Sequence, residues 1–202
     1  MLVKEGFQKL KLLEGKKISD VNLINKGSDG QKIMTAIGLT NDSRALDFED
    51  GDLKTNKILN GKPAETLWIS QIQKNLAMFD KGLTFYDSWI YNKIKQFIYL
   101  PIDKTDEHII GKPKIISAQL YPDLYAKLAV DFNFISKEIK NCIDLKTELH
   151  TINGPNNYLQ IRTKAGKIKG RYIPMVYKNH QLKDKYMAFY FRKDFLFTIF
   201  KS

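Results

Sequence analysis

Two periodicities of apolar residues along the chain predict a fold that mixes helices with strands. Over residues 122–140, apolar residues recur every three or four positions, which is typical of a helix with one buried face, and residues 2–13 show the same pattern more loosely. Short β-rich runs bounded by turn residues are typical of strands, and they cover residues 44–48, 52–55, 65–70, 94–100, 114–120, 158–162 and 186–191. Further short helices are expected over residues 31–37, 87–93 and 194–200. Since helices and strands do not alternate strictly, we expect an α/β or α+β fold with a mixed sheet flanked by helices.

Turn residues indicate how some of these elements are joined. Glu49-Asp50-Gly51 predicts a tight turn that joins strands 44–48 and 52–55 as a hairpin, and the run 65–70 is expected to pair alongside. The polar, basic and glycine-bearing stretch 163–185 predicts a mobile loop. The 202 residues contain no internal repeat and no long linker, so a single domain of one or two lobes accounts for the length.

The chain carries a large excess of positive charge. Lysine and arginine number 33 against 22 acidic residues, which gives a formal net charge of +11. Such an excess favours nucleic acid as a partner, because each phosphate that is neutralised releases counterions. A lysine-rich composition from an AT-rich genome would explain the same numbers without any ligand.

The cysteine and histidine content and the apolar segments exclude several classes of protein. Cys142 is the single cysteine, so neither a disulfide within the chain nor a cysteine-based zinc site is possible. His108, His150 and His180 lie far apart in sequence, which argues against a zinc cluster. No apolar run has the length of a signal peptide, or of the about 20 residues that span a bilayer. We therefore expect a cytoplasmic protein with no membrane partner.

The segment from Asp47 to Lys54 gives the strongest indication of chemistry. Side chains alternate along a strand, so Asp52 and Lys54 are expected to point the same way, with Asp47 a few residues upstream. Mg²⁺ prefers hard oxygen ligands, which the carboxylates of Asp47 and Asp52 and the carbonyl of Leu53 would supply. Lys54 would orient the attacking water and offset the charge that develops during phosphodiester hydrolysis. The alternative is a solvated hairpin with acidic residues in its turn, since Asp-x-Lys alone is a weak signal.

Several longer motifs occur in the order found in one family of nucleases. They are Lys26-Gly27 with Gly30 and Gly38, Asp47-Phe48 followed by Asp52-Leu-Lys-Thr55, Gly61-Lys-Pro-Ala-Glu-Thr66, Asn92-Lys-Ile-Lys95 followed by Ile98-Tyr-Leu-Pro101, Asn157-Tyr-Leu-Gln-Ile-Arg162-Thr-Lys164-Ala, and Ala188-Phe-Tyr190-Phe-Arg-Lys-Asp-Phe195. On these motifs, which span roughly residues 15–200, the chain resembles the MutH-like endonucleases. That family comprises the mismatch-repair enzyme MutH and related type II restriction enzymes that cut GATC.

The resemblance implies a PD-(D/E)xK nuclease fold, in which a restriction-endonuclease-like mixed sheet forms two lobes around a DNA cleft. A lobe around residues 1–110 would carry the catalytic hairpin, and a lobe around residues 111–202 would read the DNA. The implied catalytic triad is Asp47, Asp52 and Lys54, with Mg²⁺ as cofactor. Lys95 falls on a further active-site lysine; its neighbour Lys93 is the alternative for this role and is otherwise expected to bind DNA.

Residues after the predicted strand 158–162 are candidates for reading DNA. This basic segment contains Arg162, Lys164, Lys167, Lys169 and Arg171. An arginine can donate two hydrogen bonds to guanine, whereas lysines mostly hold phosphates. The resemblance implies that Arg162 and Lys164 lie in the DNA-reading loop and that Tyr190 lies where the family senses adenine methylation. By alternation Tyr190 faces away from its two phenylalanine neighbours, and a core tyrosine is the alternative reading.

The sequence departs from the family pattern around the expected metal site. The hairpin is shorter, so Asp47 must reach the metal across a tighter turn, and Asp42 is the fallback ligand. Asp52 replaces a glutamate, which shortens the reach of its carboxylate. Met34 stands where the family has a helical glutamate, and Asp29 or Glu14 are the candidates to replace that glutamate in space.

Three functions are compatible with these observations. The first is a Mg²⁺-dependent DNA endonuclease that recognises GATC or a related site in double-stranded DNA, paired with a cognate DNA methyltransferase. The second is a mismatch-repair nickase that acts with MutL. The third is a DNA-binding protein of the same fold that has lost catalysis, for which Met34 and the short hairpin are the main support.

Overall fold

A computed structural model describes residues 1–21, 29–40, 46–164, 167–168 and 170–202. The α-helices over these residues are α1 (Val3–Lys11), α2 (Ile18–Val21), α3 (Asp29–Ala36), α4 (Leu76–Asp80), α5 (Trp89–Ile94), α6 (Pro122–Leu145) and α7 (Lys193–Lys201). None of these helices is long and apolar enough to cross a membrane.

The strands of the described residues are mostly short. They are β1 (Asp52–Leu59), β2 (Lys62–Pro63), β3 (Leu67–Gln71), β4 (Gln96–Asp103), β5 (Ile109–Ile110), β6 (Lys114–Ser117), β7 (Ile152–Asn153), β8 (Leu159–Thr163), β9 (Lys167–Ile168), β10 (Arg171–Tyr172), β11 (Met175–Tyr177), β12 (His180–Lys183) and β13 (Met187–Phe191). The structure confirms the mixture of helices and strands that the two periodicities predict.

The chain divides into two compact units that are interleaved in sequence. The first unit comprises residues 1–65, 92–122 and 197–202, and the second comprises residues 66–91 and 123–196. The lobe boundary near residue 110, which the resemblance implied, stays a prediction. The nuclease-like arrangement of two lobes stays a prediction.

The first unit is built on a five-stranded mixed sheet. Its strands follow the order β2-β1-β4-β5, with β6 also paired to β4. β1 and β4 are parallel, and the register places Asp52 opposite Phe97 and Lys54 opposite Tyr99. β4 is buried along nearly its whole length, as expected of a strand with neighbours on both edges.

The apolar core of the first unit lies against one face of β1 and β4. Leu53, Ile98, Leu100 and Ile102 pack there with apolar residues of α1 and α3. Because β-strand side chains alternate, Asp52 and Lys54 lie on the opposite face of β1 from Leu53. The strand that carries the candidate site is thus fixed by burial of its other face.

The second unit contains a four-stranded antiparallel sheet in the order β3-β13-β8-β7. Its core is aromatic: the Phe132 ring of α6 stacks on Phe189 of β13 with centroids 5.2 Å apart, and Phe79 of α4 packs beside both rings. Buried residues of α6 recur every three or four positions along the helix, which confirms the helix predicted there.

Three expectations about strands and loops are corrected by the structure. Residues 46–48, expected to belong to a strand, instead form a bend together with residues 49–51, and residues 44–45 lie outside the described part of the chain. The run at 65–70 forms β3, which pairs with β13 in the second unit instead of with β1. Local β-propensity cannot distinguish pairing with β1 from pairing with β13, because tertiary packing decides which strands pair. Finally, the stretch 163–185 contains two short hairpins, β9–β10 and β11–β12, where a mobile loop was expected.

Candidate active site

The first residues of β1 bring an acid and a lysine together inside the first unit. Only 2% of the surface of Asp52 and 5% of that of Lys54 are exposed to solvent. The Nζ atom of Lys54 lies 2.6 Å from Oδ2 of Asp52, so the two groups form a buried, hydrogen-bonded ion pair. Burying charge is costly unless it is paired, and this pair meets that condition.

Asp47 joins this pair from the bend that precedes β1. Its backbone N–H donates to Oδ1 of Asp52 at 3.3 Å, and its own Oδ2 accepts the backbone N–H of Leu53 at 2.9 Å. The bend therefore folds back onto the start of β1 without forming a hairpin. Asp47, Asp52 and Lys54 are in this way brought to one place.

The two carboxyl groups influence each other strongly. Burial, together with a hydrogen bond to Asp52 and the repulsion of its charge, raises the pKa of Asp47 to about 7. Burial also acts on Asp52, but the positive charge of Lys54, the hydrogen bond from Asp47 and the charge of Lys93 outweigh it and lower the pKa of Asp52 to about 2. Asp52 therefore carries the negative charge of the pair, and Asp47 keeps its proton to a higher pH than an ordinary aspartic acid does.

The structure places Lys93, rather than Lys95, beside this cluster. The Nζ atom of Lys93, in α5, lies 3.7 Å from Oδ2 of Asp52. Lys95 follows the end of α5, is exposed, and its Nζ lies 3.5 Å from Oδ1 of Asn92. The sequence predicted a helix that ends at residue 93 and a strand that begins at residue 94; in the structure α5 extends to Ile94 and β4 begins at Gln96, so Lys93 lies on the helix and Lys95 between the two elements.

Sequence reasoning did not single out Asn56, which continues the polar face of β1. Asn56 is buried, its Oδ1 accepts the hydroxyl of Tyr99 at 3.0 Å, and its Nδ2 lies 3.4 Å from the carbonyl oxygen of Glu65. Burial raises the pKa of the Tyr99 hydroxyl, which therefore stays a hydrogen-bond donor. The signal was present in the sequence, because polar residues at 52, 54 and 56 follow the period of a strand.

The donor set fits Mg²⁺ bound by two carboxylates. Mg²⁺ commonly keeps several waters and takes one or two carboxylates plus substrate phosphates. Across the part of the chain that the structure describes, no group of three or more His, Cys, Asp or Glu side chains is suited to hold a metal. Mg²⁺ as the cofactor, with Asp47 and Asp52 as its side-chain ligands, stays a prediction. The carbonyl of Leu53 as a third ligand stays a prediction.

The candidates to replace the family's helical glutamate do not join the cluster through any described contact. Met34 packs against the apolar core of the first unit. The Asp29 carboxylate is held by Nζ of Lys104 at 2.5 Å and lies 3.0 Å from Nδ1 of His108. Glu14 is exposed, and Asp42 lies outside the described residues.

In the second unit, two basic side chains lie over two aromatic rings on neighbouring strands. The Arg162 guanidinium is 4.4 Å from the centroid of the Tyr190 ring, and Nζ of Lys164 is 3.8 Å from a ring of Trp68. Tyr190 pairs directly with Trp68 across β13 and β3. The predicted DNA-reading residues Arg162, Lys164 and Tyr190 are thus neighbours, held by cation–π contacts.

Tyr190 keeps 8% of its surface exposed, whereas Phe189 and Phe191 are fully buried. This difference agrees with the alternation expected along β13. Arg162 is exposed, and so is Arg171 in β10. Lys169 and the side chain of Lys167 lie outside what the structure describes.

No protein-family model matches this chain, and no curated protein matches it. The assignment to the MutH-like endonucleases therefore remains a resemblance carried by the motifs quoted above.

Proposed function

We propose that this protein is a Mg²⁺-dependent, sequence-specific DNA endonuclease. The observation that carries the proposal is the cluster of buried Asp52 and Lys54 with half-buried Asp47, in which two carboxyl groups lie together and the ammonium group is 2.6 Å from one of them. A solvated turn would leave these side chains exposed. Structural ion pairs also perturb pKa values, but a carboxyl group whose pKa is raised beside an ionised carboxylate is typical of functional sites.

The residues of the cluster can be given separate roles. Asp47 and Asp52 would hold Mg²⁺, with Asp52 ionised at all physiological pH values and Asp47 exchanging its proton for the metal. Bound Mg²⁺ would polarise a phosphate oxygen and make a coordinated water more acidic. The Lys54 ammonium would donate a hydrogen bond to a phosphate oxygen or to the attacking water, and so offset the charge that develops at the reacting phosphate. Lys93 would add a second positive charge on the same side of Asp52.

Double-stranded DNA is the substrate that the rest of the chain supports best. A net charge of +11 favours a polyanion. The Arg162 guanidinium lies 4.4 Å from the centroid of the Tyr190 ring, and a guanidinium can donate two hydrogen bonds to one guanine. GATC or a related site as the target, and restriction with a partner methyltransferase as the biological role, follow from the motif resemblance. A nickase that depends on MutL is the alternative from the same motifs.

Plasmid cleavage tests the proposal. Supercoiled plasmid incubated with the protein and Mg²⁺ is expected to give nicked or linear DNA, and EDTA or the variant Lys54→Ala should abolish the product. Sequencing the cut ends then identifies the recognition site. Comparing methylated with unmethylated plasmid, with and without MutL, separates restriction from repair.

Retarded but uncut DNA under all of these conditions would reject the endonuclease and favour a binding protein of the same fold. If the protein neither cuts nor retards DNA, DNA is rejected as its partner.

A further inference from the structure

The bend that carries Asp47 is held in place by its neighbour Asp50. Oδ1 of Asp50 accepts the backbone N–H of Val3 at 2.7 Å, and Oδ2 accepts Nε2 of Gln96 at 3.0 Å. Val3 is the first residue of α1, whose N–H has no acceptor within the helix, and Gln96 is the first residue of β4. One carboxylate therefore ties the bend both to a helix and to the strand that pairs with β1.

Close packing also holds the bend against α1 and β4. The Phe48 ring is buried against Gly6 of α1, where a Cβ atom would lie 2.2 Å from the ring. A Cβ atom at Gly51 would lie 2.6 Å from the carbonyl oxygen of Gln96. The backbone of the bend thus lies directly on α1 and β4, and small shifts are sterically opposed. Asp50 adds the polar contacts that fix its direction.

We propose that Asp50 is a positioning residue of the metal site, which orients the bend so that the Asp47 carboxyl faces Asp52. This inference rests on the proposed function, because it assumes that Asp47 and Asp52 bind a divalent cation. The contacts of the Asp50 carboxylate run to α1 and β4, so we assign it to holding the bend and not to the metal. From the sequence alone, Asp50 was expected to be an ordinary residue of the turn Glu49-Asp50-Gly51.

Binding of Mn²⁺ to the protein without DNA, followed by electron paramagnetic resonance, tests the inference directly. Asp50→Ala removes both tethers and is expected to weaken Mn²⁺ binding at least tenfold. In Asp50→Asn the side-chain oxygen can still accept the N–H of Val3. The new amide nitrogen can donate to Oε1 of Gln96 once the Gln96 amide has rotated by 180°, so the Mn²⁺ affinity of this variant should stay within about threefold of the wild type. Asp106→Ala is the matched control, because Asp106 is an exposed acid of the same unit and its removal changes net charge equally.

The same variants should show a specific pattern in cleavage. Asp50→Ala should need more Mg²⁺ for half-maximal rate and should recover most of the wild-type rate at saturating Mg²⁺. Because Mg²⁺ binding also stabilises the folded state, circular dichroism without metal must first show that Asp50→Ala is folded. Should Asp50→Ala fail to fold by circular dichroism, Gln96→Ala removes one tether without touching the bend, and it should weaken Mn²⁺ binding by a smaller factor.

The outcomes separate the two proposals. If the wild type binds Mn²⁺ and folded Asp50→Ala binds it equally well, the positioning role is overturned and the endonuclease stands. If the wild type binds no Mn²⁺ and cuts no DNA, both proposals are rejected.

Discussion

The Lys54 ammonium and the Asp52 carboxylate form an ion pair 2.6 Å long that is almost completely shielded from solvent. Both side chains belong to one strand, β1, and lie two residues apart on the same face. Such a pair is expensive to bury, and replacing it with apolar residues is often neutral or stabilising. Its presence on a sheet whose other face packs in an apolar core is consistent with a functional rather than a structural reason for the charges.

Replacing Lys54 is expected to abolish cleavage while retaining DNA binding. Lys54→Met keeps the apolar stem but removes the charge, and a loss of at least about a hundredfold in cleavage rate is expected from losing one charge-stabilising donor. The control is Lys57→Met, since Lys57 lies on the opposite face of β1. Single-turnover cleavage and a gel-shift assay measure the two properties. Normal cleavage by Lys54→Met would remove Lys54 from the mechanism.

Without metal, the stability of the protein should fall as the pH rises from about 4 to about 7. The raised pKa of Asp47 means that the folded state binds more protons than the unfolded state in this range, so stability decreases with pH. One such group contributes at most about 1.4 kcal/mol per pH unit. Asp52 acts in the opposite sense, because its pKa is lowered, but only below about pH 4.

Asp47→Asn should flatten this slope, as measured by urea unfolding in EDTA at several pH values. Mg²⁺ affinity of the wild type should rise with pH and level off near pH 7, because the metal displaces the Asp47 proton. A slope that is unchanged in Asp47→Asn would assign the titration to another group.

Lys93 and Lys95 provide a matched pair of substitutions. Lys93→Ala should slow cleavage by about tenfold or more, because it removes a positive charge 3.7 Å from the Asp52 carboxylate. Lys95→Ala removes the same charge from an exposed position two residues away and should leave the chemical step nearly unchanged. Single-turnover rates with saturating protein separate this effect from weaker DNA binding. The reverse order of effects would favour the assignment of Lys95 made from the motif.

Arg162→Lys should relax sequence recognition without greatly reducing general DNA affinity. Lysine keeps the charge but loses the planar pair of donors, and each bidentate contact with guanine contributes about 1–3 kcal/mol of discrimination. The ratio of the affinity for the cut site to the affinity for a scrambled duplex, measured at several salt concentrations, gives the discrimination. Arg171→Lys is the control, because Arg171 is exposed on β10. Equal discrimination by Arg162→Lys and wild type would rule out base reading by Arg162.

Asp131→Ala should strongly destabilise the second unit. The Asp131 carboxylate is completely buried in α6; Oδ1 accepts the N–H of Asn156 at 2.6 Å, and Oδ2 accepts those of Tyr158 and Leu159 at 2.7 and 2.9 Å. Its loss leaves these donors without their acceptor, which is expected to cost about 3–5 kcal/mol. Asp144→Ala, which removes an exposed pair with Lys140 on the same helix, should cost less than about 1 kcal/mol. Chemical denaturation measures both values.

The sequence predicted well those features that depend on neighbouring residues. The helix α6, the buried strand β4 and the direction of Tyr190, opposite to that of Phe189 and Phe191, all follow from the alternation of apolar and polar positions. The shared face of Asp52 and Lys54 has the same origin, because two residues spaced by the period of a strand must point the same way. The candidate chemistry was therefore readable before any long-range contact was known.

Tertiary structure alone decided which elements meet. From the sequence, β3 was expected to pair beside β1. It pairs with β13 instead, because pairing depends on the surfaces that each strand buries. Asp47 reaches Asp52 through a bend tied to α1 and β4, and α5 turns Lys93 rather than Lys95 towards the site. Local periodicity fixes the direction of a side chain relative to its own backbone, whereas the position of that backbone depends on packing between residues far apart in the chain.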